Sequence, residues 1–345
     1  MVFAWSLIPS LIVKIPETLY CGACETCTES IWNSPATALD NQETYSCGAR
    51  ISYLIDSLSY DEDAACFAVG TTNYAEGQSC APCNCQALPV LDDPDPALLI
   101  FSDEFETDGA PDATKWTYDL GDGCSIGICG WGNDESQQYT SSPSNVYASN
   151  GVLSITARKE AGFSRPYTSS RMVTRGLASF KYGRVQFRAN IAKCKATGTW
   201  PALWMLPETW QYGGWPDSGE IDVMEAVGFE SDLIHGSVHT RAWHGGNSKS
   251  GSTSAPDQDW HVFEIDWQET TIRFAVDGLV YYEFNRESTT DKTRWPFDQE
   301  FHLIMNIAVG GTWGGLRGID EAAFEGGGQT MEIDFVRVYR SPSLF

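Results

Sequence analysis

The chain has 345 residues, 42% of them hydrophobic, which is enough for one large core and a smaller module. Its 22 basic side chains against 46 acidic ones leave a formal charge of −24. That balance argues against a nucleic acid partner, whose phosphates demand Lys and Arg, and favours a neutral polymer, although acidity of this kind also serves plain solubility.

In chain order, residues 1–20 come first. The apolar stretch from Met1 to Ile15 lacks a basic start and is interrupted by Pro9, so it reads as a weak, partial leader. Beyond it, no run approaches the length of about eighteen apolar residues that a membrane span needs. Eight of the eleven cysteines then fall between Cys21 and Cys85, in a stretch too small to build a strong core. Residues 21–85 therefore read as a disulfide module of an oxidising compartment, and the chain is expected to be secreted or associated with a cell wall. The pairs in Cys21-Gly22-Ala23-Cys24 and Cys80-Ala81-Pro82-Cys83 are also zinc-knuckle spacings, so zinc is the alternative. Cys124 and Cys129 are close enough to staple one loop, which leaves Cys194 as the odd thiol, expected to be buried. No Asn-x-Ser/Thr sequon adds support for secretion.

Residues 86–97, with repeated acids and prolines in Leu91-Asp92-Asp93-Pro94-Asp95-Pro96, read as a linker to a domain at 98–345. That domain is a series of short strands. Gly151–Ala157, Arg184–Ile191, Trp260–Trp267 and Thr271–Val276 are rich in β-branched and aromatic residues, and Asp277-Gly278 turns the last into Val280–Phe284 as a hairpin. In 184–191, Val185, Phe187, Ala189 and Ile191 face one way and polar residues the other, as for a strand with one face in a core and one lining a groove. Strands at this spacing, with Gly- and Pro-rich turns and little helical periodicity, give an all-β sandwich.

The run Gly219-Glu220-Ile221-Asp222-Val223-Met224-Glu225 places three carboxylates among apolar side chains. A helix would scatter them around its circumference, whereas a strand puts Glu220 and Asp222 on one face and Ile221 and Val223 on the other. Glu225 is out of step by one residue, and a β-bulge near Val223-Met224 would return it to the acidic face. Paired carboxylic acids flanking a bond are the equipment for cleaving a glycoside, and crowding pushes their pKa values apart. The bland alternatives are a solvated acidic turn or an unfilled calcium loop, although calcium loops alternate their acids with Asn, Gly and Ser.

The same run, preceded by Trp200-Pro201-Ala202-Leu203-Trp204-Met205-Leu206-Pro207 and Trp215-Pro216, resembles the laminarinase-like branch of glycoside hydrolase family 16. Asp103-Glu104-Phe105, Gly130-Trp131-Gly132-Asn133, Ser170-Arg171 and Tyr182-Gly183-Arg184 continue the resemblance upstream. Val238-His239-Thr240, Asn306-Ile307-Ala308-Val309-Gly310-Gly311 and Ile333-Asp334-Phe335-Val336-Arg337-Val338-Tyr339 continue it downstream. The resemblance implies a β-jelly roll of two antiparallel sheets with a concave cleft. It implies a secreted, monomeric, retaining endo-β-1,3-glucanase that acts on laminarin-like polysaccharide without a catalytic cofactor. Glu220 would be the nucleophile, Glu225 the acid and base, and Asp222 the group that tunes Glu220. Asn133, Arg171, Trp200, Trp204, Trp215, His239 and Trp313 would meet the sugar chain. Gln186 departs from the Glu more common in the family at that strand, which puts a glycone-side sugar contact in doubt. Glu104, the Gly151 carbonyl and Asp334 would hold a structural calcium on the face away from the cleft, and an empty acidic pair is the alternative. Mixed-linkage glucan or a galactan is a second substrate reading, and a glucan-recognition protein that binds without cutting is a third.

Overall fold

The computed structural model describes residues 90–341, apart from 231–232, 256–259 and 288–289, and before these only 35–37, 44–49, 51–52 and 80. The chain divides into two compact units, Met1–Ala87 and Leu88–Phe345. In the first, strands β1 (Pro35–Thr37) and β2 (Thr44–Ser46) pair antiparallel, and Cys47 is bonded to Cys80 with their Cα atoms 5.5 Å apart. Cys21, Cys24, Cys27, Cys66, Cys83 and Cys85 lie outside the described residues, as does the leader.

The second unit is built of strands. In chain order these are β3 (Leu99–Asp103), β4 (Thr117–Tyr118), β5 (Gln137–Tyr139), β6 (Val146–Ser149), β7 (Val152–Lys159), β8 (Tyr167–Ser169) and β9 (Arg171–Val173). There follow β10 (Gly183–Asn190), β11 (Thr199–Pro207), β12 (Glu220–Glu225), β13 (Leu233–His239) and β14 (Lys249–Ser254). The last are β15 (His261–Trp267), β16 (Thr271–Val276), β17 (Leu279–Asn285), β18 (Phe301–Val309) and β19 (Gln329–Tyr339). They form two sheets. One has the order β17-β16-β15-β10-β19-β7-β8-β5, with β3 on β19 and β6 on β7, and the other has the order β14-β13-β12-β11-β18-β9-β4. All pairs are antiparallel except β5 with β8.

The core lies between the sheets because each strand alternates. Val185, Phe187, Ala189, Phe263, Ile265, Trp267, Ile272 and Phe274 of the first sheet meet Leu203, Met205, Ile221, Val238, Leu303, Met305 and Ile307 of the second, and all are buried. Burying each of the larger side chains contributes about 1.5–3 kcal/mol. The arrangement is the jelly roll that the strand pattern and the resemblance lead one to expect. Asp277 and Gly278 both have positive φ, 51° and 78°, the conformation that a two-residue hairpin turn requires.

The described part of the 86–97 segment is docked on this unit: Val90 bridges to Leu279, and Leu91 N donates to Gly278 O at 2.7 Å. Cys124 and Cys129 are bonded, and Cys194 is free and buried. Among the described residues, no helix is long and apolar enough to cross a membrane.

One expectation is corrected here. The polar face of 184–191 lines no groove. Strand β10 belongs to the sheet without the acidic strand, and its outward face meets its own neighbours: Gln186 Nε2 donates to Glu264 Oε2 at 2.8 Å and Arg184 Nη1 to the same oxygen at 3.0 Å. Gln186 is thus on the opposite side of the sandwich from the acids, and its identity puts no sugar contact in doubt.

Candidate active site

Strand β12 lies between β11 and β13. Opposite β11, Leu203 pairs with Met224 and Trp204 with Asp222; opposite β13, Asp222 pairs with Ser237 and Glu225 with His235. Val223 is the extra residue. Val223 and Met224 both turn into the core, 1% and 0% exposed, so the next residue, Glu225, rejoins Glu220 and Asp222 on the opposite face. The bulge thus lies at the Val223-Met224 position that the alternation required.

Each carboxylate has its own donor. Trp215 Nε1 donates to Glu220 Oε2 at 3.1 Å, Ser237 Oγ to Asp222 Oδ2 at 2.5 Å, and Trp200 Nε1 to Glu225 Oε1 at 2.9 Å. His239, paired across the strands with Glu220, holds Nε2 3.3 Å from Asp222 Oδ2 and 3.7 Å from Glu220 Oε1. Its Nδ1 accepts from Gly245 N at 3.1 Å, which places the ring proton on Nε2, facing the carboxylates. Burial opposes a charge on this imidazole, while Glu220, Asp222 and Glu225 favour it and raise its pKa. A second proton, on Nδ1, would break the contact with Gly245. Glu220 and Glu225 are both pushed upward, first by burial and then by the charge of Asp222. At Glu220 the charge of His239 and the indole N–H of Trp215 offset this, and Arg171 adds to them. At Glu225 the charge of His239 and the indole N–H of Trp200 offset it likewise, while the neighbouring Glu220 adds to the upward push.

Aromatic walls flank the acids. On the Glu220 side, Trp215 lies 6.0 Å from His239 and 5.7 Å from His244, centroid to centroid, and is 49% exposed. On the Glu225 side, Trp200 packs edge-on against Trp313 at 5.5 Å, and Trp313 against His235 at 5.0 Å. Further along the same face, Arg171 is held between Trp131 and Trp204, with its guanidinium carbon 4.6 and 4.7 Å from the ring centroids, and Nε lies 3.2 Å from Asp119 Oδ2. Asn133 donates to Glu135 at 3.2 Å at the edge of this wall. The structure therefore brings Glu220, Asp222, Glu225, Trp200, Trp204, Trp215, Trp313, His239, Arg171 and Asn133 to one side of the sandwich.

Four participants are not legible in the sequence: Ser237, His235, Glu135 and Tyr139. The first two share the face of His239, and the alternation His235-Gly236-Ser237-Val238-His239 is a signal that could have found them. Glu135 and Tyr139 lie close in sequence to Asn133 and Gln137, and the alternation of Glu135, Gln137 and Tyr139 is a signal for one shared face; only the links to Asn306 and Val309 span a long separation.

Glu104, Gly151 and Asp334 lie with the other sheet. Glu104 forms a forked pair with Arg337 at 2.8 and 2.9 Å, and Asp334 pairs with Arg188 at 2.6 Å. Both carboxylates already have a cationic partner.

Residues 133–337 match the profile described as Glycosyl hydrolases family 16. The chain is 49% identical over 253 residues to a β-glucanase of Rhodothermus marinus, covering 70% of this chain and 85% of that one. It is 36% identical over 253 residues to a keratan-sulfate endo-1,4-β-galactosidase of Sphingobacterium multivorum, covering 71% of this chain and 55% of that one. The X-ray structure of the laminarinase from Rhodothermus marinus superimposes with a TM-score of 0.66 at 48% identity, covering 70% of this chain and 96% of that one. With an acid triad on a bulged strand, a cleft walled by tryptophan and this match across the greater part of its length, the chain belongs to glycosyl hydrolases family 16.

Proposed function

We propose that the protein is a retaining endo-β-1,3-glucanase. The observation that carries this reading is the pair Glu220 and Glu225 on one face of β12, each holding an indole N–H, between two aromatic walls. Ionised Glu220 attacks the anomeric carbon, the glycosidic C–O bond breaks, and Glu225 gives its proton to the departing oxygen. Glu225, now a carboxylate, takes a proton from water as that water attacks the anomeric carbon, and the ester bond to Glu220 breaks. Asp222, fixed by Ser237 and His239, keeps Glu220 aimed and supplies the charge that holds a proton on Glu225. Trp200, Trp204, Trp215 and Trp313 offer flat apolar faces to sugar rings, and Asn133, Arg171 and His239 offer polar groups to hydroxyls.

The likeness to the Rhodothermus enzymes supports β-1,3-glucan as substrate, and the likeness to a galactosidase makes a galactan the competing polymer. The deciding experiment is incubation with laminarin, mixed-linkage β-glucan and galactans, followed by sizing of the products. Oligosaccharides from laminarin are expected, and cleavage of galactan alone would overturn the assignment.

The chemistry runs on protein side chains. The carboxylates of Glu104 and Asp334, each engaged by an arginine, do not fit a calcium cage. The reading further includes secretion or wall association and a monomeric state. An intact mass about two daltons lower per bridge than after reduction, and a single-chain mass by light scattering, test these points. Stoichiometric zinc in the purified protein would sink the disulfide reading of residues 21–85.

A further inference from the structure

Behind the cleft wall, a chain of hydrogen bonds ends on a buried carboxylate, Glu135, which is 5% exposed. Three side chains reach it: Asn133 Nδ2 at 3.2 Å, Gln137 Nε2 at 2.6 Å and the Tyr139 hydroxyl at 3.2 Å. The directions of the Gln137 and Tyr139 bonds follow from groups that can only donate. The backbone N–H of Val309 donates to Gln137 Oε1 at 2.7 Å, which fixes that amide with its NH2 on Glu135. At the far end, the indole N–H of Trp204 donates to Asn306 Oδ1 at 2.7 Å, which fixes the Asn306 amide with Nδ2 towards the Tyr139 oxygen at 3.1 Å. Tyr139, accepting from Asn306, gives its own proton to Glu135. Two donors of fixed direction therefore converge on Oε2 of Glu135, and with the carboxyl ionised Asn133 donates to Oε1 as well.

We infer that Glu135 is the buried anion that sets the hydrogen-bond polarity of the glucan-binding wall. It acts as a positioning residue for two groups that flank the cleft, Asn133 and Trp204. With Nδ2 committed to Glu135, Asn133 presents Oδ1 to the cleft, so this position accepts from a sugar hydroxyl. Through Tyr139 and Asn306, the same charge fixes the plane of the Trp204 indole, against which Arg171 stacks at 4.7 Å. Trp204 in turn pairs with Asp222 across the strands, so the wall is registered to the acids. Burial pushes the Glu135 carboxyl upward, and the donors and the nearby Arg171 oppose the shift. Sugar orientation by this wall rests on the glucanase reading, whereas the polarity of the chain does not.

The test uses Glu135→Gln, which keeps the shape and removes the charge, and Tyr139→Phe, which breaks the chain at its middle. Two readouts are taken on the full chain: kinetics on laminarin, and the NMR resonance of the Trp204 indole N–H without sugar, assigned by its loss in Trp204→Phe. Both variants are expected to raise KM about tenfold, the equivalent of one well-made hydrogen bond, while kcat stays within about threefold. Both are also expected to shift the indole resonance, although Glu135 is three hydrogen bonds away. An unmoved resonance with unchanged KM, or a fall in kcat with KM retained, overturns the inference. If Glu135→Gln does not fold, Tyr139→Phe supplies both readouts, and the same two outcomes overturn the inference there. Wild-type protein inert on laminarin, with an indole resonance that still moves, would retire the glucanase reading and leave the polarity standing.

Discussion

The indole N–H of Trp200 meets Oε1 of Glu225 at 2.9 Å, from a strand adjacent to the one that carries the acid. Trp200 thus serves both the wall, through its edge contact with Trp313, and the protonation state of Glu225. A donor to a carboxylate stabilises the ionised form, so its loss raises the pKa.

Trp200→Phe keeps a ring in place and removes the donor. The alkaline limb of kcat/KM, which reports loss of the Glu225 proton, is expected to move upward by roughly 0.5–1 pH unit, matching the net worth of one hydrogen bond. A limb that stays or moves down would mean that Glu225 is not the group titrating there.

The roles of the two glutamates separate by stereochemistry. In Glu220→Gly, azide entering the vacated space is expected to attack an activated β-glucoside directly and give the α-glycosyl azide. In Glu225→Ala, hydrolysis of laminarin falls about 10²–10⁴-fold, substrates with good leaving groups are spared, and azide gives the β-anomer after two inversions. The same anomer from both variants would reverse the mechanism.

His239→Gln removes an imidazole that favours charge on Glu220. Without it, the pKa of Glu220 rises further. Because Glu220 must be ionised to attack, the acid limb is expected to move to higher pH, with kcat/KM about tenfold lower at the optimum. An acid limb that moved to lower pH would show that His239 opposes the charge on Glu220.

Gly236 lies between His235 and Ser237, and a Cβ there would come within 2.3 Å of the Tyr281 hydroxyl and 2.6 Å of Phe274. Gly236→Ala is expected to destabilise by about 1–3 kcal/mol. Among the described residues the buried Tyr281 hydroxyl has no hydrogen-bond partner, so Tyr281→Phe should be neutral or stabilising and should recover part of the loss in the double variant. Denaturant unfolding of the four proteins measures the coupling, and strict additivity would mean that the clash is relieved elsewhere.

Several elements of the site are legible in the sequence because they are local. The alternation in 220–225 places the apolar residues on one face, and the phase error of Glu225 calls for one bulged residue; both depend only on neighbouring residues. The Asp277-Gly278 hairpin is local in the same sense, as is the short loop closed by Cys124 and Cys129. The tryptophans around the acids could be placed only through the resemblance, since a single Trp in a polar setting is compatible with core or cleft.

Other features depend on which strands become neighbours. The alternation of β10 shows that one of its faces is polar but not which sheet holds the strand, so the sequence suggests Gln186 near the cleft while it lies on the opposite side. The resemblance groups Glu104 with Asp334, yet Arg337 and Arg188 reach them across the sheet and neutralise each separately.

By itself, the sequence determined that this protein is a strand-built sandwich carrying three acids on one face of a bulged strand, since side-chain alternation and turn chemistry are properties of adjacent residues. Only the tertiary structure decided that His239 and Ser237 face Asp222, that Arg171 lies between Trp131 and Trp204, and that Glu135 answers through Tyr139 and Asn306 to Trp204. Apart from the step from Glu135 to Tyr139, those contacts join residues 15 to 167 positions apart, and their geometry is fixed by strand order and register, which no spacing along the chain contains.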